Sequence, residues 1–128
     1  MDNPLALVIE DNGDISFIIA RVLEAAGFET QIACSGDDAL TRLSSIAPDV
    51  VILDLNLPRV EGAEVLRQIR ADPRLSHTHV VVSTAHLHLP KHIEDMADSV
   101  LTKPIDLDQL GQMATRLAGA SQIQAARA

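Results

Sequence analysis

The spacing of apolar positions changes several times along the chain, and each change marks an element. "LALVI" (5–9) is an uninterrupted apolar run of the kind a fully buried strand makes. In "DISFIIARVLEAAG" the residues Ile15, Ile18, Ile19, Val22, Leu23 and Ala26 fall on one helix face, with Asp14 placed as N-cap and Gly27 as stop. "FETQIA" (28–33) predicts a second strand. "SGDDALTRLSSIAP" gathers Ala39, Leu40, Leu43, Ile46 and Ala47 on a second helix, with Pro48 after its end. "DVVILD" (49–54) is the most buried-looking strand, and "EGAEVLRQIRADP" follows as a helix through Val65, Leu66 and Ile69 that closes near Asp72-Pro73. "HVVVST" (79–84) and "SVLT" (99–102) predict two more strands. "DLDQLGQMATRLAGA" (106–120) predicts a last helix with Leu107, Leu110, Met113, Ala114 and Leu117 inward. Between the last two strands, Lys91 to Asp98 offers eight residues with Ile93, Met96 and Ala97 as a thin apolar stripe. That is about two turns, and a helix so short is held only by its packing.

Strands alternating with helices predict an α/β domain with a parallel sheet. Five strands fit a flavodoxin-like doubly wound five-stranded parallel sheet, order 2-1-3-4-5, with a short or irregular fourth helix. A single domain is expected over 1–128, with a core of about 5–118 and an Ala-rich tail, 119–128, that is either a frayed extension of the last helix or disordered.

Composition removes some functions. The net charge of −8 argues against a nucleic-acid surface, which needs a basic patch. Aromatic residues make up 2% of the chain, with no Tyr or Trp, so stacking platforms for single strands are missing. A lone cysteine, Cys34, suits a reducing compartment and is expected as a small buried or half-buried apolar residue. "MDNPLALVIED" has no basic n-region and does not read as a signal peptide. No apolar stretch approaches the ~20 residues of a membrane helix. The expected setting is cytoplasmic.

In an open parallel sheet, sites form beyond the carboxyl ends of the strands. The ends here carry Glu10-Asp11, Asp54, Ser83-Thr84-Ala85 and Lys103-Pro104. Each has an ordinary explanation by itself: a solvated acidic loop, an Asp capping a turn, a strand terminus, a surface lysine. Jointly they bring three carboxylates, a hydroxyl and a lysine to one edge. Three acids repel one another unless a counter-charge joins them. Mg²⁺ takes oxygen ligands of this kind, and an aspartate held beside Mg²⁺ and a lysine is poised to attack phosphorus. The histidines His77, His79, His86, His88 and His92 complete no zinc pattern and are expected in exposed or incidental roles.

"VIEDN", "VILDLNLPRVEG", "VVSTA" and "LTKP", in this order on these strand ends, resemble the receiver domain of two-component response regulators. The resemblance covers about residues 5 to 118. It implies that Asp54 accepts a phosphoryl group, that Glu10, Asp11, Asp54 and the backbone carbonyl of Asn56 hold Mg²⁺, and that Thr84 and Lys103 contact the phosphoryl group. It also implies a small residue at Ala85, a cis bond before Pro104, a tight loop at Pro58 and Gly62, and a pair, Asn56 and His86, that tunes phosphoryl lifetime. The partners implied are a histidine kinase or histidine phosphotransfer protein and a downstream protein target, with homodimerisation open and neither nucleic acid nor membrane expected. A stand-alone receiver signalling by protein contact is expected, with at most self-phosphorylation and self-dephosphorylation as activity. Two departures stand out. Val100 occupies the place of the usual Tyr or Phe three residues before the lysine, and the segment between Thr84 and Lys103 is short. Rival readings fit less well. An aspartate-dependent phosphatase of the haloacid dehalogenase kind needs a second aspartate where Asn56 stands, and a flavodoxin needs the missing aromatics and phosphate loop. A degenerate receiver acting purely as an interaction module is disfavoured by the intact acids and lysine.

Overall fold

The computed structural model describes residues 3–57, 61–86 and 88–127, with side chains to Ser121 in the last helix. In chain order the elements are β1 (Leu5–Ile9), α1 (Gly13–Ala25), β2 (Glu29–Ala33), α2 (Gly36–Leu43), β3 (Val50–Asp54) and α3 (Gly62–Ala71). A 3-10 turn (Pro73–Leu75), β4 (His79–Thr84), α4 (Lys91–Glu94), β5 (Ser99–Thr102) and α5 (Leu107–Arg127) follow. The five strands form one sheet in the order β2-β1-β3-β4-β5, as the alternation predicted, and every pairing is parallel.

Successive strand residues point to opposite faces, so the apolar runs feed two cores. Leu7, Ile9, Val51, Leu53, Val80 and Val82 pack on one side with Ala39, Leu43, Val65, Leu66, Ile69 and Ile93. Ala6, Val8, Val50, Ile52, Val81 and Leu101 pack on the other with Ile19, Ala20, Leu23, Leu110, Ala114 and Ala118. A sheet covered on both faces needs unbroken apolar strands, which is why β1 and β3 show no alternation. At the opposite edge from the candidate site, two aspartates repeat one device. Asp49 Oδ2 accepts the Leu5 N–H at 2.8 Å, and Asp98 Oδ2 accepts the Val80 N–H at 2.8 Å. Each stands one residue before a strand and satisfies a donor at the start of the neighbouring strand, Leu5 at the first position of β1 and Val80 at the second of β4.

Several expectations are corrected. The N-cap of α1 is Asn12, whose Oδ1 accepts the Ile15 N–H at 3.1 Å; Asp14 lies inside the first turn. Gly27 does end the helix, at φ +107°, a conformation glycine adopts without strain. α2 stops at Leu43, so Ile46 and Ala47 fall beyond it. Ile15, Ile18 and Leu107 are 39%, 44% and 47% exposed, because they line an open groove between the starts of α1 and α5 instead of lying in the core. Cys34 is exposed at the end of β2. The short fourth helix is found as expected, α4 being a single turn of four residues, and of the two alternatives for the tail the helical one holds, since α5 runs to Arg127. Pro58 lies outside the described residues. Among the described residues no helix is long and apolar enough to cross a membrane.

Candidate functional site

The strand order sets β1, β3, β4 and β5 side by side, so their carboxyl ends deliver Glu10, Asp54, Thr84 and Lys103 to one edge. The carboxylate oxygens of Glu10, Asp11 and Asp54 lie within 4.8 Å of one another. Glu10 and Asp54 are each 2% exposed, whereas Asp11 faces solvent. The Lys103 ammonium sits 3.1 Å from Asp54 Oδ1 and 3.7 Å from Glu10 Oε2. The Asn56 N–H also donates to Asp54 Oδ1, at 2.9 Å. Asn56 itself is exposed, two residues past Asp54.

Glu10 is held from the other side. Its Oε1 accepts the Asn12 N–H at 3.2 Å, while its buried Oε2 has no hydrogen-bond partner. The 3.7 Å separation from Lys103 gives charge attraction without a hydrogen bond. Burial is the main force raising the Glu10 pKa to about 7; the Asn12 N–H opposes it, the neighbouring Asp54 adds to it, and Lys103 opposes it again. A buried oxygen with no partner and two further carboxylates close by fits a hard divalent cation, which takes such ligands at short range. Among the described residues this is the one cluster of three or more acids, histidines or cysteines with that spacing.

Thr84 is fully buried; its Oγ1 accepts the His86 N–H at 3.1 Å, and its carbonyl accepts the Lys103 N–H at 2.8 Å. A hydroxyl has one donor and two acceptor positions. The bond from His86 uses an acceptor position, and among the described residues the Thr84 hydroxyl donates to no other group. Main chain thus joins the hydroxyl strand to the lysine strand. Lys103 precedes Pro104 through a cis bond.

Gly62, the first residue of α3, explains how the helix comes so near. A Cβ there would lie 2.5 Å from the Asp54 carbonyl oxygen and 2.5 Å from Leu55 Cα. Backbone cannot yield as a side chain can, so only glycine allows α3 to start against the end of β3.

The structure therefore brings together Glu10, Asp11, Asp54, Thr84 and Lys103, with Asn56 joined to Asp54. His86, His88, His92 and His77 are exposed, and His79 is half-buried at the far edge with Nε2 3.1 Å from Ser99 Oγ. Asn12 was missed as a site residue. It caps α1 through its side chain and steadies Glu10 through its N–H. An Asn two residues before the first acid of the helix was the available signal.

A family model described as the response regulator receiver domain matches residues 6–115. The chain is 34% identical over 110 residues to the DNA-binding dual master transcriptional regulator RpaA of Synechocystis, covering 84% of this chain and 46% of that protein. It is 32% identical over 104 residues to the DNA-binding response regulator MtrA of Mycobacterium tuberculosis, covering 81% of this chain and 46% of that protein. The chain spans about half the length of these curated relatives. Among solved structures, a CheY-like receiver domain from Methylobacillus flagellatus superposes with a TM-score of 0.82 at 31% identity, over 91% of this chain and 99% of that one. The chemotaxis response regulator CheY4 of Vibrio cholerae gives the same TM-score, 0.82, at 24% identity over 91% of this chain and 99% of that one, a likeness of fold alone.

Proposed function

The chain belongs to the response regulator receiver domain family, and from that premise we propose that Asp54 is its phosphoacceptor, charged by a histidine kinase or histidine phosphotransfer protein. The observation that carries this reading is the buried Asp54 carboxylate, 3.1 Å from Lys103 within a three-acid cluster. In the reaction an Asp54 oxygen attacks phosphorus, the P–N bond to the donor imidazole breaks, and the electron pair leaves with the imidazole. A P–O bond forms, giving an aspartyl phosphate. Lys103 offsets charge on the transferred group, and the Thr84 hydroxyl bonds one of its oxygens. Glu10, Asp11, Asp54 and the Asn56 carbonyl would hold Mg²⁺, which supplies further charge neutralisation when bound. Pairing with Lys103 and the Asn56 N–H holds the Asp54 carboxylate in place before the donor arrives.

The family signals through a phosphorelay rather than by turning over substrate. For this chain we assign at most self-phosphorylation from small donors and self-dephosphorylation. Residues 1–128 are taken as one receiver, with a core at 5–118 and a tail at 119–128, working in the cytoplasm. Its output is by protein contact, in keeping with the net charge of −8. The DNA binding in the names of the curated relatives belongs to proteins about twice this length.

Incubation with acetyl phosphate and Mg²⁺, followed by intact-mass measurement, tests the assignment. One phosphoryl group is expected on the wild type and none on Asp54→Asn. Equal modification of the variant would show that the acceptor is another residue.

A further inference from the structure

Arg70, in the last turn of α3, makes three separate attachments. Its Nε donates to the Met96 carbonyl at 2.7 Å, its Nη1 to the Thr78 carbonyl at 3.1 Å and its Nη2 to Asp98 Oδ2 at 2.5 Å. The same Asp98 oxygen accepts the Val80 N–H, and the Asp98 N–H returns to the Val80 carbonyl at 2.9 Å. One guanidinium therefore fastens the end of α3, the approach to β4 and the α4–β5 connection into a single knot. Only a planar group with several donors in a fixed fork serves three acceptors at once.

The stretch before this knot is held differently. Leu89 to Asp95 is largely exposed, and Ile93 is its one buried side chain. Its helix is a single turn. Elements with few buried contacts open first. At β5, Val100 is exposed and carries no ring that could turn between an inward and an outward position. The connection from Thr84 to Lys103 thus has a loosely packed first half and a pinned second half.

We propose that Arg70 is a positioning residue that confines the response to phosphorylation to the stretch Leu89–Asp95 and keeps Met96–Thr102 fixed. Rearrangement at the Thr84 end passes along the main chain into α4 and stops at the knot. The surface that changes for a partner is then α4 alone, and β5 serves as a static floor. This inference rests on the phosphoacceptor reading above.

Amide hydrogen exchange, with Mg²⁺ and with or without beryllofluoride as the phosphoryl mimic, tests it on the whole chain. In the wild type, beryllofluoride should alter exchange in Leu89–Asp95 and leave Met96–Thr102 unchanged. In Arg70→Lys, the Val80 and Asp98 amides should exchange about tenfold faster without the mimic, as expected when a strong local bond is lost. With the mimic, the response should now spread into Ala97–Leu101. The rate of labelling by acetyl phosphate should stay at the wild-type value. Asp98→Asn keeps an acceptor for Val80 while removing the ion pair, and should reproduce the spread if Arg70→Lys fails to fold. A response already present in Met96–Thr102 of the wild type, or an identical response in the variants, would overturn the proposal and leave the acceptor assignment intact. No response to beryllofluoride anywhere would overturn both.

Discussion

At the scale of single residues, burial of Glu10 gives the protein one pH-dependent contribution to stability near neutrality. Its pKa stands at about 7 in the fold against 4.5 for an ordinary glutamate. The folded state therefore binds this proton more tightly than the unfolded chain does. The resulting stabilisation is full below about pH 4.5 and is lost as pH rises through about 7. Burial lowers the His79 pKa, which works in the opposite direction over the same range, so the expected signature is a difference: without divalent cations the wild-type melting temperature should fall relative to that of Glu10→Gln between pH 5 and 8. The cation competes with the proton for the same oxygens, so added Mg²⁺ should restore more stability at pH 8 than at pH 5 in the wild type and less in Glu10→Gln. An equal pH slope in the two proteins would remove Glu10 as the cause. The sequence made these acids legible because they end apolar strands, where a charge needs a partner. Asn12 was legible as a helix cap but not as a support for Glu10, since that hold comes from a backbone N–H that any residue there would carry. Arg70 escaped for a related reason: its three acceptors lie 8, 26 and 28 positions away.

Elements were legible where periodicity was strong. β1, β4 and β5 have the bounds that their apolar runs predicted, and β2 and β3 begin one residue later. Helix ends were less legible, because a local hydrogen bond settles each one. Ser35 caps α2 by accepting the Asp38 N–H at 3.1 Å, and at the other end the helix gives way to a turn after Leu43 in which the Ser45 and Ile46 N–H groups share the Arg42 carbonyl. The shortness of α4 was readable from the residue count and the thin apolar stripe, though the single turn is tighter than those eight residues required. Gly62 shows an element boundary acting on the site. Replacing it with Ala forces a methyl against the Asp54 carbonyl and Leu55 Cα, so α3 must back away from β3. Overpacking of this kind typically costs about 1–3 kcal/mol. Gly62→Ala should lower the urea midpoint and slow labelling by acetyl phosphate, because the strand end carrying Asp54 shifts with the strain. A destabilised variant that labels at the wild-type rate would show that the contact serves stability alone.

Across the whole molecule, the apolar runs and their alternation with helices pointed to a buried parallel sheet, and the strand order came from fitting five strands to the flavodoxin-like arrangement. The pattern did not reveal which apolar helix positions stay uncovered, because a stripe records a face and not what lies against it. Ile15, Ile18 and Ile19 of α1 join Lys103, Pro104, Ile105 and Leu107 around an apolar groove of about 550 Å³. Phe17 stands exposed on the same helix. Lys103 belongs both to this groove and to the acceptor site. A donor protein that places a phosphohistidine against Asp54 must cover the ground beside it, and the groove is the apolar ground available. On the phosphoacceptor reading, the prediction is that the histidine-bearing surface of the phosphodonor covers this groove. Ile18 is 44% exposed, so Ile18→Asp should leave the fold nearly untouched. If the side chain is an interface anchor, its loss costs about 2 kcal/mol, roughly thirtyfold in transfer efficiency from the protein donor. Acetyl phosphate has no such surface, and its labelling rate should not change. Comparison of the two donors on wild type and Ile18→Asp separates docking from chemistry. A parallel loss with both would place Ile18 in the chemistry of the site, and no loss with either would leave the groove outside the path of the phosphoryl group.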